Sequence, residues 1–329
     1  MAGEVRWGIL STARIGRALV RGIGLSPNGR VQAVASRQLT RAREFAKELG
    51  IPRSFGSYEE LIHSGEIDVI YNPLPNSMHA EWTIKALEAG LPVLCEKPIA
   101  VDAAQAREMA SAARRAGLPL AEAFMYRFHP VYDRILETLA EGAIGDVVSI
   151  HSAFCFRLPE RAGNIRTSAE LCGGALMDVG CYCVNVSRRI AGCGPVRAAA
   201  FARATTVDDT FVGLLEFPNG ILASFECSIE SHGKSGLAIR GTTGAITLDN
   251  PWFPGEEFAQ FVLCRGDARE AVTVPGANCY RLEVEAFAQT CRTHVPLRWL
   301  PEDSVANMAV LDALRKAATE HAAIEVERP

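Results

Sequence analysis

The chain has 329 residues, more than a single core usually spans, so two domains are the first expectation. Hydrophobic residues make up 48% and charged residues 22%, with a formal net charge of −4, which points away from nucleic acid and from anionic lipid as partners. No apolar run approaches the roughly 18 residues of a membrane span. Met1–Arg6 runs straight into a strand without an apolar leader. The 10 cysteines lie in apolar stretches with no Cys-x-x-Cys pair, so a reduced cytoplasmic protein without a zinc site is expected.

Val5–Leu10 reads as a short apolar strand. Residues 14–25 have helical character, Val31–Ser36 is a second strand, and 40–49 is a helix capped by Thr40. Ile67–Tyr71 is a third strand, Asn76–Ala89 an amphipathic helix closed by Gly90, and Val93–Cys95 a fourth strand. A helix over 102–116 starts at Asp102 and stops at Gly117, before a fifth strand at Pro119–Glu122. Strands alternating with helices imply parallel βαβ units, hence an α/β class with a doubly wound sheet over residues 1–125. The character then changes. A helix over 128–140, a strand over 146–156, a loop and a helix from Gly174 to about Ala191 precede strands at 196–206, 209–217, 221–230, 236–241 and 245–249. Residues 126–329 thus read as an α+β domain, a mostly antiparallel sheet with helices on one face. A final amphipathic helix over 302–320 is expected to pack back on the first domain.

The first strand runs into Ser11, Ala13 and Gly16 at the three glycine positions of a dinucleotide fingerprint, with Thr12, Arg14 and Ile15 between them. Small residues let the backbone approach a pyrophosphate, and the helix that follows offers it N–H groups and a positive dipole end. The second strand ends Ser36-Arg37-Gln38, with Arg41 nearby and no acid before Glu44. A hydroxyl and a guanidinium suit a ribose 2′-phosphate better than a 2′-hydroxyl, which favours NADP over NAD. A solvated surface arginine is the alternative reading of Arg37.

The fourth strand ends abruptly in Glu96-Lys97-Pro98, where ligands of such sheets gather. Read as an α-helix from Gly174, residues Asp178, Tyr182 and Asn185 fall at i, i+4 and i+7 on one face, lining a pocket or forming satisfied buried polar groups. Alcohol oxidation needs a group to take the hydroxyl proton while hydride leaves, and a phenol does this only if a cation favours its phenolate. Lys97 supplies that cation, so Lys97 and Tyr182 explain each other, with Asp178 positioning the substrate or the lysine.

Taken together, the fingerprint strand, Asn72-Pro73-Leu74-Pro75-Asn76-Ser77-Met78-His79, Glu96-Lys97-Pro98, Met125-Tyr126-Arg127-Phe128-His129-Pro130 and Gly173–Tyr182 resemble the glucose–fructose oxidoreductase / inositol dehydrogenase / rhizopine-catabolism (Gfo/Idh/MocA) family over essentially the whole chain. The resemblance implies an N-terminal Rossmann domain and a C-terminal open-faced sheet that binds substrate and forms a homodimer or homotetramer. It also implies hydride transfer to or from NAD(P). Tyr182 and Asn185 stand where many members have His and Asp, as in the branch of dimeric dihydrodiol dehydrogenases and NADP-linked aldose dehydrogenases. The resemblance places Asn72, Pro73, Asn76 and His79 near the cofactor, with an ordinary helix histidine as the alternative for His79. Glu96 is expected to orient Lys97 or the ribose. Arg127 is expected at the cofactor or a substrate hydroxyl, or in a structural ion pair, and Asn164 and Arg166 against a sugar. The expected substrate is a sugar or related cyclic polyol. A trans-dihydrodiol dehydrogenase, a redox-neutral glycosidase or transhydrogenase, and a non-catalytic NADP-binding sensor are the rivals.

Overall fold

The computed structural model describes residues 4–293 and 295–327. By its internal packing the chain forms two compact units, one of Met1–Met125 with Asn278–Val305, the other of Tyr126–Ala277 with Ala306–Pro329.

The first unit alternates β1 (Val5–Leu10), α1 (Gly16–Leu25), β2 (Gly29–Ala35), α2 (Leu39–Leu49), β3 (Arg53–Phe55), α3 (Tyr58–Ile62), β4 (Val69–Asn72), α4 (His79–Glu88), β5 (Val93–Glu96), α5 (Ala103–Ala116) and β6 (Leu120–Ala123). All six strands run parallel in the order β3-β2-β1-β4-β5-β6. The direction of winding reverses between β1 and β4, so the crevice that such sheets use for ligands opens at the carboxyl ends of those strands. Two details differ from expectation. Helix α2 begins at Leu39 after an uncapped Gln38, so Thr40 is inside it. The short pair β3 and α3 carries too few residues to show a period, although Ser57 caps α3 by accepting from Glu60 N at 3.1 Å.

The second unit carries α6 (Pro130–Ala140), β7 (Val147–Cys155), a π-helical turn π1 (Leu176–Gly180), α7 (Cys181–Ala191), β8 (Arg197–Ala204), β9 (Asp208–Glu216), β10 (Leu222–Ser228), β11 (Lys234–Gly241), β12 (Gly244–Leu248), β13 (Phe258–Arg265) and β14 (Ala268–Pro275). The chain then returns to the first unit as α8 (Cys279–Thr293), begins α9 (Pro301–Glu320) there, and ends in the second with the rest of α9 and β15 (Ile324–Glu325). The second sheet has nine strands in the order β14-β13-β12-β11-β7-β10-β9-β8-β15, antiparallel throughout except for the parallel pair β7 and β10. Turn π1 and α7 pack on β7 and β10. The opposite face leaves Phe201, Leu214 and Leu222 72%, 55% and 57% exposed, an open apolar surface.

A division at residue 125 therefore misses the returning segment Asn278–Val305. Helix α8 lies so close to α1 that a Cβ on Gly22 would fall 2.9 Å from Tyr280 backbone. Its Val284, Phe287 and Ala288 complete the core around Trp7, Ile9 and Leu19, with the Trp7 and Phe287 rings 5.9 Å apart. The last helix, expected to pack back on the first domain, is shared between the two units. Its first turn pairs Glu302 with Arg114 at 2.7 Å in the first unit, while Asn307 donates to the Cys181 carbonyl in the second.

Candidate functional site

In the first unit, four loops leave the carboxyl ends of β1, β2, β4 and β5. Ser11 follows β1 with φ 93°, a left-handed conformation that disfavours a side chain and explains why glycine suits this position elsewhere. Its hydroxyl accepts from Ala13 N at 3.2 Å and donates to the Pro73 carbonyl at 3.4 Å, tying the loops after β1 and β4 across the switch point. Thr12, Ala13 and Ile15 are half-buried and Arg14 is exposed, just before the orphan N–H groups of the first turn of α1. Gly16 begins α1. A Cβ there would sit 3.4 Å from the Phe45 ring, an ordinary contact, and Gly22 makes the close approach instead.

Ser36 follows β2 and is buried, its hydroxyl accepting from Gln38 N at 3.4 Å, and Arg37 and Arg41 beside it are exposed. The Tyr58 phenol, whose pKa burial raises, is partly brought back by the charge of Arg37. A helix N-terminus, a hydroxyl and two solvent-facing guanidinium groups form a donor set suited to the phosphates of a dinucleotide.

At the end of β4 two polar side chains turn inward. Asn72 is fully buried and donates to the His79 carbonyl at 3.2 Å and to Thr83 Oγ1 at 3.1 Å, while its Oδ1 accepts from Leu74 N at 3.3 Å. His79 is fully buried as well, with Nδ1 2.9 Å from the Pro98 carbonyl and Nε2 2.7 Å from the Leu74 carbonyl. Burial pushes its pKa down to about 4. The polar side-chain atoms of both residues are engaged inside the protein, where they brace the loops. Pro73 is buried and Asn76 half-buried in the turn that follows. Lys97 is half-buried, its peptide bond to Pro98 is cis, and its N–H donates to Glu96 Oε2 at 3.3 Å. Tyr71 donates to the other oxygen of Glu96 at 2.6 Å, and burial followed by the charge of Glu96 holds that phenol well above its usual range. Glu96 is thereby fixed in place beside the lysine backbone.

In the second unit, the helix expected from Gly174 contains the turn π1, an insertion of one residue per turn that turns up often at functional sites. Gly180 lets it lie against β10, since a Cβ there would fall 2.8 Å from Cys227 Sγ. Of the three polar residues expected on one face, Asp178 lies in this turn and Tyr182 and Asn185 in α7. Asp178 Oδ2 accepts from Arg166 Nε at 2.6 Å. Tyr182, on the first turn of α7, is 6% exposed among Phe154, Trp252 and Tyr126, with ring centroids 5.5, 5.6 and 5.8 Å away. Asn185 does not line a pocket; it is buried, and its Oδ1 accepts from Tyr126 OH at 2.5 Å and from Arg127 Nε at 2.7 Å. Arg127, 3% exposed, thus braces α7 from inside, as in the structural alternative although with an asparagine as partner. Asn164 bonds within its own loop, accepting from Arg166 N at 3.1 Å and donating to the Glu160 carbonyl at 3.2 Å. Of the loop pair, Arg166 alone is thus joined to Asp178. Sequence reasoning missed Phe154, Trp252 and Asp208; only the alternation of β7 and the Asp208-Asp209 pair opening β9 offered a signal.

Residues 5–124 match the family described as "Oxidoreductase family, NAD-binding Rossmann fold", and residues 132–247 match the GFO/IDH/MocA C-terminal domain. The chain is 38% identical to a D-xylose 1-dehydrogenase (NADP(+)) from Haloferax volcanii over 98% of its own length and 99% of the relative's. It is 38% identical to the trans-1,2-dihydrobenzene-1,2-diol dehydrogenase of Mus musculus, over 77% of each. Among solved structures, a 3-ketoreductase from Actinomadura kijaniata in complex with NADP and TDP-benzene superposes with TM-score 0.91 at 30% identity, covering 96% of this chain and 98% of that one.

Proposed function

The chain belongs to the GFO/IDH/MocA oxidoreductase family, and within it we propose an NADP-dependent dehydrogenase acting on a secondary alcohol or hemiacetal carbon of a sugar. The observation that carries this reading is the burial of Tyr182 among three aromatic rings, on the helix whose preceding turn holds the Asp178–Arg166 pair. A phenol in that setting can exchange a hydroxyl proton, and a carboxylate–guanidinium pair can orient sugar hydroxyls.

The first unit would hold NADP through Ser11–Ile15 and the N-terminus of α1, with Ser36, Arg37 and Arg41 at the 2′-phosphate and Pro73 and Asn76 toward the nicotinamide ribose. When bound, its nicotinamide C4 supplies or accepts the hydride. Tyr182 moves the proton at the hydroxyl oxygen, and Lys97 is the cation that favours the phenolate. Asp178, held by Arg166, orients the substrate. Glu96, fixed by Tyr71, holds the segment that presents Lys97. D-xylose is the first sugar to assay, given the relative from Haloferax volcanii. An absorbance change with D-xylose and NADP⁺ supports the reading, and no change with any sugar of a panel rejects it.

A specific observation favours one second reading. The aromatic surroundings of Tyr182 suit a trans-dihydrodiol, the substrate named for the mammalian relatives. Assembly as a homodimer or homotetramer through the open sheet face belongs to the same proposal, since Phe201, Val212, Leu214 and Leu222 leave an apolar surface in need of cover. Ten free cysteines, six of them buried, fit a reducing, cytoplasmic compartment.

A further inference from the structure

Two adjacent carboxylates open β9, and the chemistry proposed above uses neither. Asp208 Oδ2 accepts from the backbone N–H of Leu176, the first residue of π1, at 2.6 Å. Its other oxygen lies against Gly174, where φ is 109° and a Cβ would fall 2.0 Å from it. Asp209, fully buried, accepts from Thr205 Oγ1 at 2.6 Å and forms an ion pair with Arg161. Arg161 and Arg166 belong to one loop, which closes on itself where Gly174 N donates to the Arg166 carbonyl at 2.8 Å. One acid therefore holds the start of the helix, and its neighbour holds the loop that leads into it.

We propose that Asp208 is a positioning residue for proton transfer: by holding the Leu176 amide, its carboxylate fixes the π-helical turn that bears Asp178 and leads into Tyr182. The inference rests on the reading of Tyr182 as the proton carrier. Burial pushes the Asp208 carboxyl up to about 6, against the pull of the Leu176 amide. The charged and titratable groups acting on it are Arg315 of α9, which lowers its pKa, and Asp209, which raises it; the buried thiol of Cys227 on β10 is a further neighbour. A carboxyl whose pKa rises on folding favours the fold most in its neutral form. That contribution is complete below the ordinary carboxyl range and is lost as pH rises through about 6. Above that pH the protein keeps a charge that stability alone disfavours, as expected where charge is needed for function. Below it the fold as a whole gains stability, while the bond of the still-buried neutral carboxyl to the Leu176 amide weakens and the turn alone loosens.

Amide hydrogen exchange over residues 174–182, corrected for intrinsic rates, tests this in the full-length protein. Protection in the wild type should fall several-fold as pH drops through about 6. In Asp208→Asn it should be low at every pH, with no step near 6 and with Tm near neutral pH equal to or above the wild type. Turnover of D-xylose or the best sugar of the panel with NADP⁺ should fall about 10- to 100-fold in the same variant, in kcat, with NADP⁺ affinity unchanged. A wild-type protection that ignores pH, or a step that survives in Asp208→Asn, overturns the inference. If that variant does not fold, the wild-type pH step decides alone. With Tyr182→Phe assayed beside it, lost turnover in Tyr182→Phe and full turnover in Asp208→Asn overturn this inference only, whereas full turnover in both overturns the reading of Tyr182.

Discussion

His79 Nδ1 lies 2.9 Å from the carbonyl oxygen of Pro98, the residue that follows Lys97, and its other ring nitrogen faces the Leu74 carbonyl at 2.7 Å. One buried ring thus clasps the loop after β4 to the segment that carries the lysine. A neutral imidazole donates to only one of two carbonyls, and burial holds this ring neutral down to about pH 4. The lowered pKa means that the stabilisation is present above the unfolded value of 6.5 and is lost as pH falls through about 4. Across that window the loss is on the order of 3 kcal/mol for a fully buried group. Thermal melts of wild type and His79→Gln between those pH values should differ in slope, the wild type losing Tm more steeply on acidification. Parallel slopes would remove His79 as the cause.

Cofactor preference should depend on the end of β2. Ser36→Asp places a carboxylate where a 2′-phosphate would meet Ser36, Arg37 and Arg41, and carboxylates there bind a ribose 2′-hydroxyl. The ratio of kcat/KM for NADP⁺ over NAD⁺ is expected to fall about 100-fold, mostly through the KM for NADP⁺. An unchanged ratio would mean that the guanidinium groups at this strand end do not touch the cofactor.

Much of this organisation was legible beforehand, because the strands of the first unit are apolar runs separated by helices of ordinary period. Helix α8 was readable too: Val284, Phe287, Ala288 and Cys291 recur at i, i+3, i+4 and i+7, but charged neighbours interrupt the eye. Strand β13 hid for another reason. It buries Ala259, Phe261 and Leu263 but also carries Phe258, Val262 and Cys264, so apolar residues sit on both faces and no alternation shows. The site was legible in residue type and not in direction. A 3.6-residue period puts Asp178, Tyr182 and Asn185 on one face, and no sequence rule announces the π-helical turn that carries Asp178 ahead of α7. Asn72, His79 and Arg127 look like ligands in sequence because nothing there reveals which buried carbonyls and amides they satisfy.

Arg166 should contribute to substrate binding more than to chemistry. Its Nε holds Asp178 Oδ2 at 2.6 Å, with 39% of the arginine side chain exposed, so its removal takes that partner from the carboxylate. Arg166→Ala is expected to raise the KM for sugar about 10-fold with kcat changed less, since a charge-assisted bond to a partly exposed group contributes about 1–2 kcal/mol. A fall in kcat with KM unchanged would move Arg166 from orienting the substrate to the reacting centre.

Asn185 should matter for stability. Its amide oxygen takes both the Tyr126 hydroxyl and Arg127 Nε inside the protein, so Asn185→Leu leaves a buried phenol and a buried guanidinium without that acceptor. A loss of about 2–4 kcal/mol is expected by chemical denaturation. A variant as stable as the wild type would mean that water or another acceptor replaces the amide.

The most direct measurement is turnover by Tyr182→Phe, with NADP⁺ affinity determined on the same preparation. The substitution keeps the ring among Phe154, Trp252 and Tyr126 and removes only the hydroxyl. The expected result is a fall in kcat of about 100-fold or more, the usual range for a general acid–base group, with NADP⁺ affinity unchanged. Turnover within a few-fold of the wild type would contradict Tyr182 as the residue that moves the proton.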